Sequence, residues 1–591
     1  MTLLLALALC AHPGIGAEND ADTFIAAYNK QYMALYYASS QAEWEANTRI
    51  VEGDTQTQAK VEAANQALAA FTGSTKHIEQ ARALLKTELD PLQRKQIEQI
   101  LYLAANNPQT VPELVAKRIA AEAKQNAALF GFDFKLKDKS VSANDLDDLL
   151  ATSKDIDERL VAWESSKEVG RSLKSGLADL VQLRNETVKA LGFANYFDYQ
   201  VSAYGMSTDE MMKLNRQFIE EVWPLYRELH TWARYELARK YKVDQVPELL
   251  PAHWLPNRWG QDWTAMVDVE GFDLDGILAQ KTPEWVVKQA ENFYVSLGFE
   301  PLPAVFYEKS SLYPLPSDAP YKKNNHASAW HMDLDRDVRS LMSVQPNSRW
   351  YQTTHHELGH IYYYLSYTRP EVPPLLREGA NRGFHEAIGS LLGLASMQKA
   401  FLQGRELLPA DAQTDEIQVL LKEALDYVVF LPWSAGVMTH FEHDLYADDL
   451  PVDQYNQRWW QYVRDFQGIQ PPSERGEAYC DAATKTHINN DAAQYYDYAI
   501  SYVLLHQFHA HIATKLLKQD VRNTNYFGSK ETGQFLDGVL RLGATQDWRA
   551  VMKEHLGSDV SAKPLLDYFA PLTDYLKKQN EGRTYSLREH F

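Results

Sequence analysis

The sequence has only two cysteines in 591 residues, Cys10 and Cys480. Cys10 lies in an apolar N-terminal run, so a chain processed beyond it has no internal disulfide to form and must rely on a packed core. Long apolar runs are scarce as well. Past the N-terminus nothing approaches the ~20 consecutive apolar residues that a membrane span requires. Positive charge is in deficit, with 59 Lys and Arg against 79 Asp and Glu and a formal net charge of -20. This argues against nucleic acid or an anionic membrane as partner, because phosphate binding needs clustered cations. No Ser/Gly-rich or Pro-rich linker, repeat or low-complexity tract divides the chain, which reads as one large body or two interleaved lobes.

The first residues, MTLLLALALCAHPGIGAEND, form a short apolar run, then Pro13, then small residues up to Ala17. They have the pattern of a secretory leader, although no Lys or Arg precedes the apolar run. The expectation is a leader over 1–17 and a catalytic domain over 18–591, exported to a periplasm or secreted. A large exported chain without disulfides fits a bacterial periplasm better than an animal extracellular space. Elsewhere apolar residues recur at helical spacing, over 43–71, 145–166 and 207–241. The spacing predicts an all-α fold in the main. Strand-like alternation is limited to 299–313 and 326–335, enough for a very small sheet.

The segment TTHHELGHIYYYL (353–365) carries chemistry. Residues i and i+4 share one helical face, so His356 and His360 can present two imidazoles to one tetrahedral zinc, with Glu357 beside the open position. A helix over about 352–367 would stop at RPEVPP (369–374), and a second would start near Gly383. A catalytic zinc needs a third protein ligand. Glu371 and Glu378 lie in the loop, whereas Glu386 opens the second helix, and a rigid element favours Glu386. No histidine follows at the spacing of three-histidine proteases. Two histidines and a glutamate make a hydrolytic site, in which the ion acidifies water and Glu357 takes the proton and passes it to the leaving amine. One turn beyond Glu386 stands Ser390, which makes the outer shell there neutral.

The stretches HHELGH (355–360), REGANRGFHEAIG (377–389), NHASAW (325–330), PNRWGQDW (256–263), WWQYVRDFQGIQPP (459–472) and YYDYAISYVLLHQFH (495–509) extend the pattern. So do DWRAVMKEHLG (547–557) and PLLDYFAPLTDYLKKQN (564–580). In this order they resemble the angiotensin-converting enzyme family of zinc peptidyl-dipeptidases over nearly the whole chain. The resemblance implies a helical ellipsoid with a deep central cleft, lid helices at the N-terminus, and removal of C-terminal dipeptides from oligopeptides with a free C-terminus. It implies one zinc on His356, His360 and Glu386, Glu357 as the base, and Tyr498 as the oxyanion donor. His487 becomes a second transition-state contact, and His326 and the Ala327 backbone align the substrate. Gln261, Lys485 and Tyr495 hold the substrate carboxylate two residues beyond the scissile bond. The carboxypeptidase branch is similar but has an arginine at the Gln261 position.

The chain also departs from the family. Chloride-activated members carry an arginine where Asp497 stands here, and another at the place of Val463, with Arg464 one position off, so no chloride requirement is expected. Asn325 and Gln470 stand where animal relatives have cysteines, the loop at RPEVPP is two residues longer, and Ser390 replaces an aspartate. Loss of such an outer-shell group typically costs about 10 to 100-fold in metal affinity or activity. The expected molecule is a monomer with no nucleic-acid partner. The alternatives are a single-residue carboxypeptidase and a peptide-binding homologue without catalysis.

Overall fold

The computed structural model describes residues 14–51, 53–269, 274–324 and 326–591, with side chains from residue 20 onward. Most of the expected leader, over 1–17, and Asn325 lie outside the described residues. The chain is predominantly helical, and no described helix is long and apolar enough to cross a membrane.

Three helices position the site: Ser348–Tyr367, Arg382–Met397 and Tyr496–His511. The first begins four residues before the expected boundary because Asn347 caps it, its side chain accepting from the Trp350 amide at 2.9 Å. It ends at Thr368, just before the Arg369-Pro370 step. The second is capped by Asn381, which accepts from the Phe384 amide at 2.7 Å. These two cross at paired glycines. A Cβ on Gly359 would stand 3.0 Å from the Gly389 Cα, and one on Gly389 would stand 2.9 Å from the His356 ring. Their bare backbones therefore set the approach that brings Glu386 to His356.

Apolar side chains of these helices, among them Leu358, Ile388, Leu391, Ile500 and Leu504, join one connected core that runs from Ala105 to Leu587. A long amphipathic helix, Thr208–Lys240, packs into it and carries a complete capping box at Ser207 and Glu210. The N-terminal helices stand apart. Gly14–Thr48 and its neighbours share a small core of Ile25, Tyr28, Tyr32, Ala81, Ile97 and Ile100, which reaches the rest of the chain through Leu334 and Leu375. Trp44 supports this contact, edge-on to Trp330 at 5.4 Å with Arg339 over its ring.

Three expectations need correction. The periodic run 145–166 is broken, since one helix ends at Thr152 and the next starts at Ile156, past the Asp155 cap. The periodic run 43–71 is broken: one helix ends at Thr48 and the next starts at Thr55, past Gly53 at φ +79° and the Asp54 cap. The segment 299–313 is not a strand, because Pro303 removes an amide donor and opens the short helix Ala304–Lys309, which buries Phe306. Only Ser311 there makes a strand-like bridge, to Leu341. The other expected strand forms, with Ser328–His331 antiparallel to Val338–Leu341. Gln470 sits in a two-residue parallel pairing with Pro251.

Candidate metal centre and carboxylate anchor

His356 and His360 turn their Nε2 atoms toward each other at 3.1 Å, and Glu386 Oε2 lies 3.6 Å from His356 Nε2. One ligand atom from each residue falls within 4.8 Å of the other two. Ligand atoms on a tetrahedral zinc, with bonds of about 2.0–2.1 Å, stand about 3.3 Å apart, so the donor set fits that ion. Both outer nitrogens have partners. His356 Nδ1 meets Ser390 Oγ at 3.4 Å, and His360 Nδ1 meets His385 Nδ1 at 2.8 Å. These contacts leave both Nε2 atoms free to ligate. Ser390 is thus the outer-shell partner that its spacing implies, and His385 is one that sequence reasoning missed. Nothing in the FHE triplet marks its first ring for that role, which depends on the neighbouring helix.

The electrostatics point the same way. Burial pushes Glu357 up to about 8, helped by the nearby Glu386 carboxylate. Burial also pushes His360 down to about 4, with His356 adding to the effect, and lowers His356 against the pull of Glu386. Glu357 Oε2 is buried with no hydrogen-bond partner among the described residues. Neutral rings beside the buried, unpartnered Glu357 oxygen and the partly exposed Glu386 carboxylate make a site that a dication would stabilise. The other metal-like grouping, His443, Asp444 and Asp448, differs, because Asp444 is already taken by Arg458 at 2.6 Å and Tyr462 at 2.8 Å.

The residues expected to bind the substrate carboxylate also assemble. The Lys485 ammonium donates to Gln261 Oε1 at 2.8 Å and lies over the rings of Trp259 at 4.3 Å and Tyr495 at 5.3 Å. Burial, then Arg258, push this lysine down to about 7. Ring contacts join Tyr495 to His487 and Tyr498. His487 is edge-on to Tyr495 at 4.9 Å, Tyr498 is 4.9 Å from Tyr495, and the Tyr498 hydroxyl meets His487 Nε2 at 3.3 Å. Burial pushes His487 down to about 4, which leaves it neutral at pH 7. Trp259, beneath the lysine, is a second group that the sequence left unassigned. His326 is exposed and Ala327 half-buried, and neither hydrogen-bonds a metal or anchor residue among those described. Ala327 leads directly into Ser328–His331, which the Tyr364 hydroxyl of the metal-binding helix ties down at Ala329 O, 3.2 Å away.

A helical body that gathers two histidines and a glutamate around a buried free carboxylate is the architecture of a metallopeptidase. Family comparison makes the class specific. The family model for angiotensin-converting enzyme, peptidase family M2, matches residues 15–587, and the chain belongs to that family. It is 28% identical to an angiotensin-converting enzyme of Theromyzon tessulatum, over 96% of this chain and 93% of that one. It is 34% identical to the Bos taurus enzyme over 74% of this chain, and 30% identical to the Rattus norvegicus enzyme over 95%. The matches cover 34% and 44% of those mammalian proteins, so the chain spans less than half of their length.

Proposed function

We propose that this zinc metallopeptidase releases C-terminal dipeptides from oligopeptides with a free C-terminus. The observation that carries the reading is Lys485, a buried ammonium whose one hydrogen-bonding side chain is Gln261, joined through Tyr495 to His487 and Tyr498. A cation that pairs with no carboxylate among the described residues, packed against aromatic rings, fits the terminal carboxylate of a bound peptide. Zinc held by His356, His360 and Glu386 would polarise the scissile carbonyl and acidify water.

The remaining work falls to the chain. Glu357, with one carboxylate oxygen unpartnered, accepts the proton and delivers it to the leaving amine. The Tyr498 hydroxyl, with neutral His487 beside it, donates to the oxygen on which charge develops. Gln261 favours release of two residues, because the arginine that the family resemblance links to single-residue release is absent. The test is product analysis by mass spectrometry on an N-blocked tripeptide, with and without a chelator. Release of the dipeptide, abolished by chelation and restored by zinc, is expected. Release of one amino acid would establish the carboxypeptidase alternative.

The same reading extends to chloride. Asp497, where chloride-activated relatives carry arginine, is 1% exposed and pairs with Arg382 at 3.2 Å, so a carboxylate fills that position. A flat response of activity to chloride at constant ionic strength is expected, and a several-fold rise would contradict it. The leader-like N-terminus and the single cysteine beyond it support an exported enzyme, which cell fractionation tests.

A further inference from the structure

Arg382, Asp491 and Asp497 form a hub that the proposed chemistry does not itself use. The Arg382 guanidinium grips Asp491 with two parallel bonds, Nη1 to Oδ1 at 2.8 Å and Nη2 to Oδ2 at 2.7 Å. Its Nε lies 3.2 Å from Asp497 Oδ2. The other Asp497 oxygen accepts from the Tyr204 hydroxyl, which in turn accepts from the Gly383 amide at 3.1 Å.

The three segments joined here each carry a group of the site. Arg382 stands one turn before Glu386 on the same helix. Asp491 closes the short helix of His487, its amide donating to the His487 carbonyl at 3.0 Å. Asp497 immediately precedes Tyr498. Among the described residues the Tyr498 hydroxyl has only the long contact to His487, so its placement rests on its backbone and on the packing of its ring against Tyr495 at 4.9 Å.

We propose that Arg382 is a positioning residue, whose guanidinium fork holds the segments of Glu386, His487 and Tyr498 in the register that the transition state requires. This rests on the reading of Tyr498 as the oxyanion donor. The physical reason is the steep dependence of catalysis on placement: a misplacement of about 1 Å can cost about 100-fold in rate. A lysine carries the same charge on one nitrogen and cannot bridge two carboxylates in this planar geometry. Charge neutralisation and positioning are therefore separable.

The experiment is a double-mutant cycle of Arg382→Lys with Tyr498→Phe, reading kcat and KM on a blocked peptide, with the melting temperature followed for each variant. Arg382→Lys is expected to lower kcat about 10 to 100-fold with KM within about twofold. Combined with Tyr498→Phe it should add little further loss, because both changes remove one interaction. Asp497→Asn keeps an acceptor for Tyr204 and the two bonds from Arg382 to Asp491, removes only the charge that faces Arg382 Nε, and should lower kcat in the same direction as Arg382→Lys. Wild-type kcat in both fork variants, or losses that multiply with that of Tyr498→Phe, would overturn the proposal while leaving the role of Tyr498 intact. Wild-type turnover by Tyr498→Phe itself would overturn that role and this proposal with it.

Discussion

The metal centre and the carboxylate anchor are electrostatic opposites inside one buried site. At the metal centre no Lys or Arg pairs with Glu357 or Glu386 among the described residues, and burial lowers both imidazoles beside them, His360 to about 4. At the anchor two buried ammoniums share the Trp259 ring, Lys485 at 4.3 Å and Lys167 at 5.2 Å, and no carboxylate pairs with Lys485 among the described residues. A dication would answer the one end and, in the proposed reaction, a peptide carboxylate the other. Neither imbalance is a stabilising feature of the fold, since burying an unpaired charge costs free energy. In the proposed reaction, a peptide held at the anchor would have its scissile bond set relative to the metal, so that two opposite charges define the cut position.

The comparison breaks first at Glu357. Glu357→Gln keeps the shape of the metal end and removes its base, and should lower kcat by about 10² to 10⁴-fold with little change in KM, read from initial rates on a blocked peptide. Turnover equal to wild type would rule out the proposed acid-base role.

A smaller effect is expected one layer out. Ser390→Asp would place a carboxylate beside His356 Nδ1, now 3.4 Å from the serine hydroxyl, and should tighten zinc binding about 10 to 100-fold in competition with a chromogenic chelator. Unchanged affinity would mean that the serine is no deficit in this chain.

The smallest effect belongs to the anchor and to pH. Lys485 must be protonated to hold a carboxylate, and burial has brought it down to about 7, so KM should rise with pH above that value, by up to about tenfold per unit. A bound carboxylate opposes the loss by favouring the charged form. Lys485→Arg, which stays charged throughout, should flatten this alkaline rise. An identical KM profile in the two proteins would assign the titration elsewhere.

The two ends also differ in how far the sequence discloses them. His356 and His360 are one helical turn apart, and Glu386 opens the very next helix, so local periodicity predicts their meeting. Gln261 and Lys485 are 224 residues apart and meet only through tertiary packing. No spacing rule joins them, and here resemblance carried the assignment. His385 and Arg382 escaped both routes, because the role of each exists only once another segment is in place. Helical content was legible from apolar spacing. The break at Gly53 and the short helix after Pro303 were missed because turn residues overrode periodicity there.

The account's central claim is that Lys485 anchors the peptide C-terminus and so sets the cut. The most direct measurement is kcat/KM for one blocked peptide as its free acid and as its C-terminal amide, in wild type and in Lys485→Met. Wild type should prefer the acid by about 10 to 100-fold, the worth of a charge-assisted hydrogen bond, and the variant should bring the ratio close to one. A variant that keeps the wild-type ratio would contradict the account.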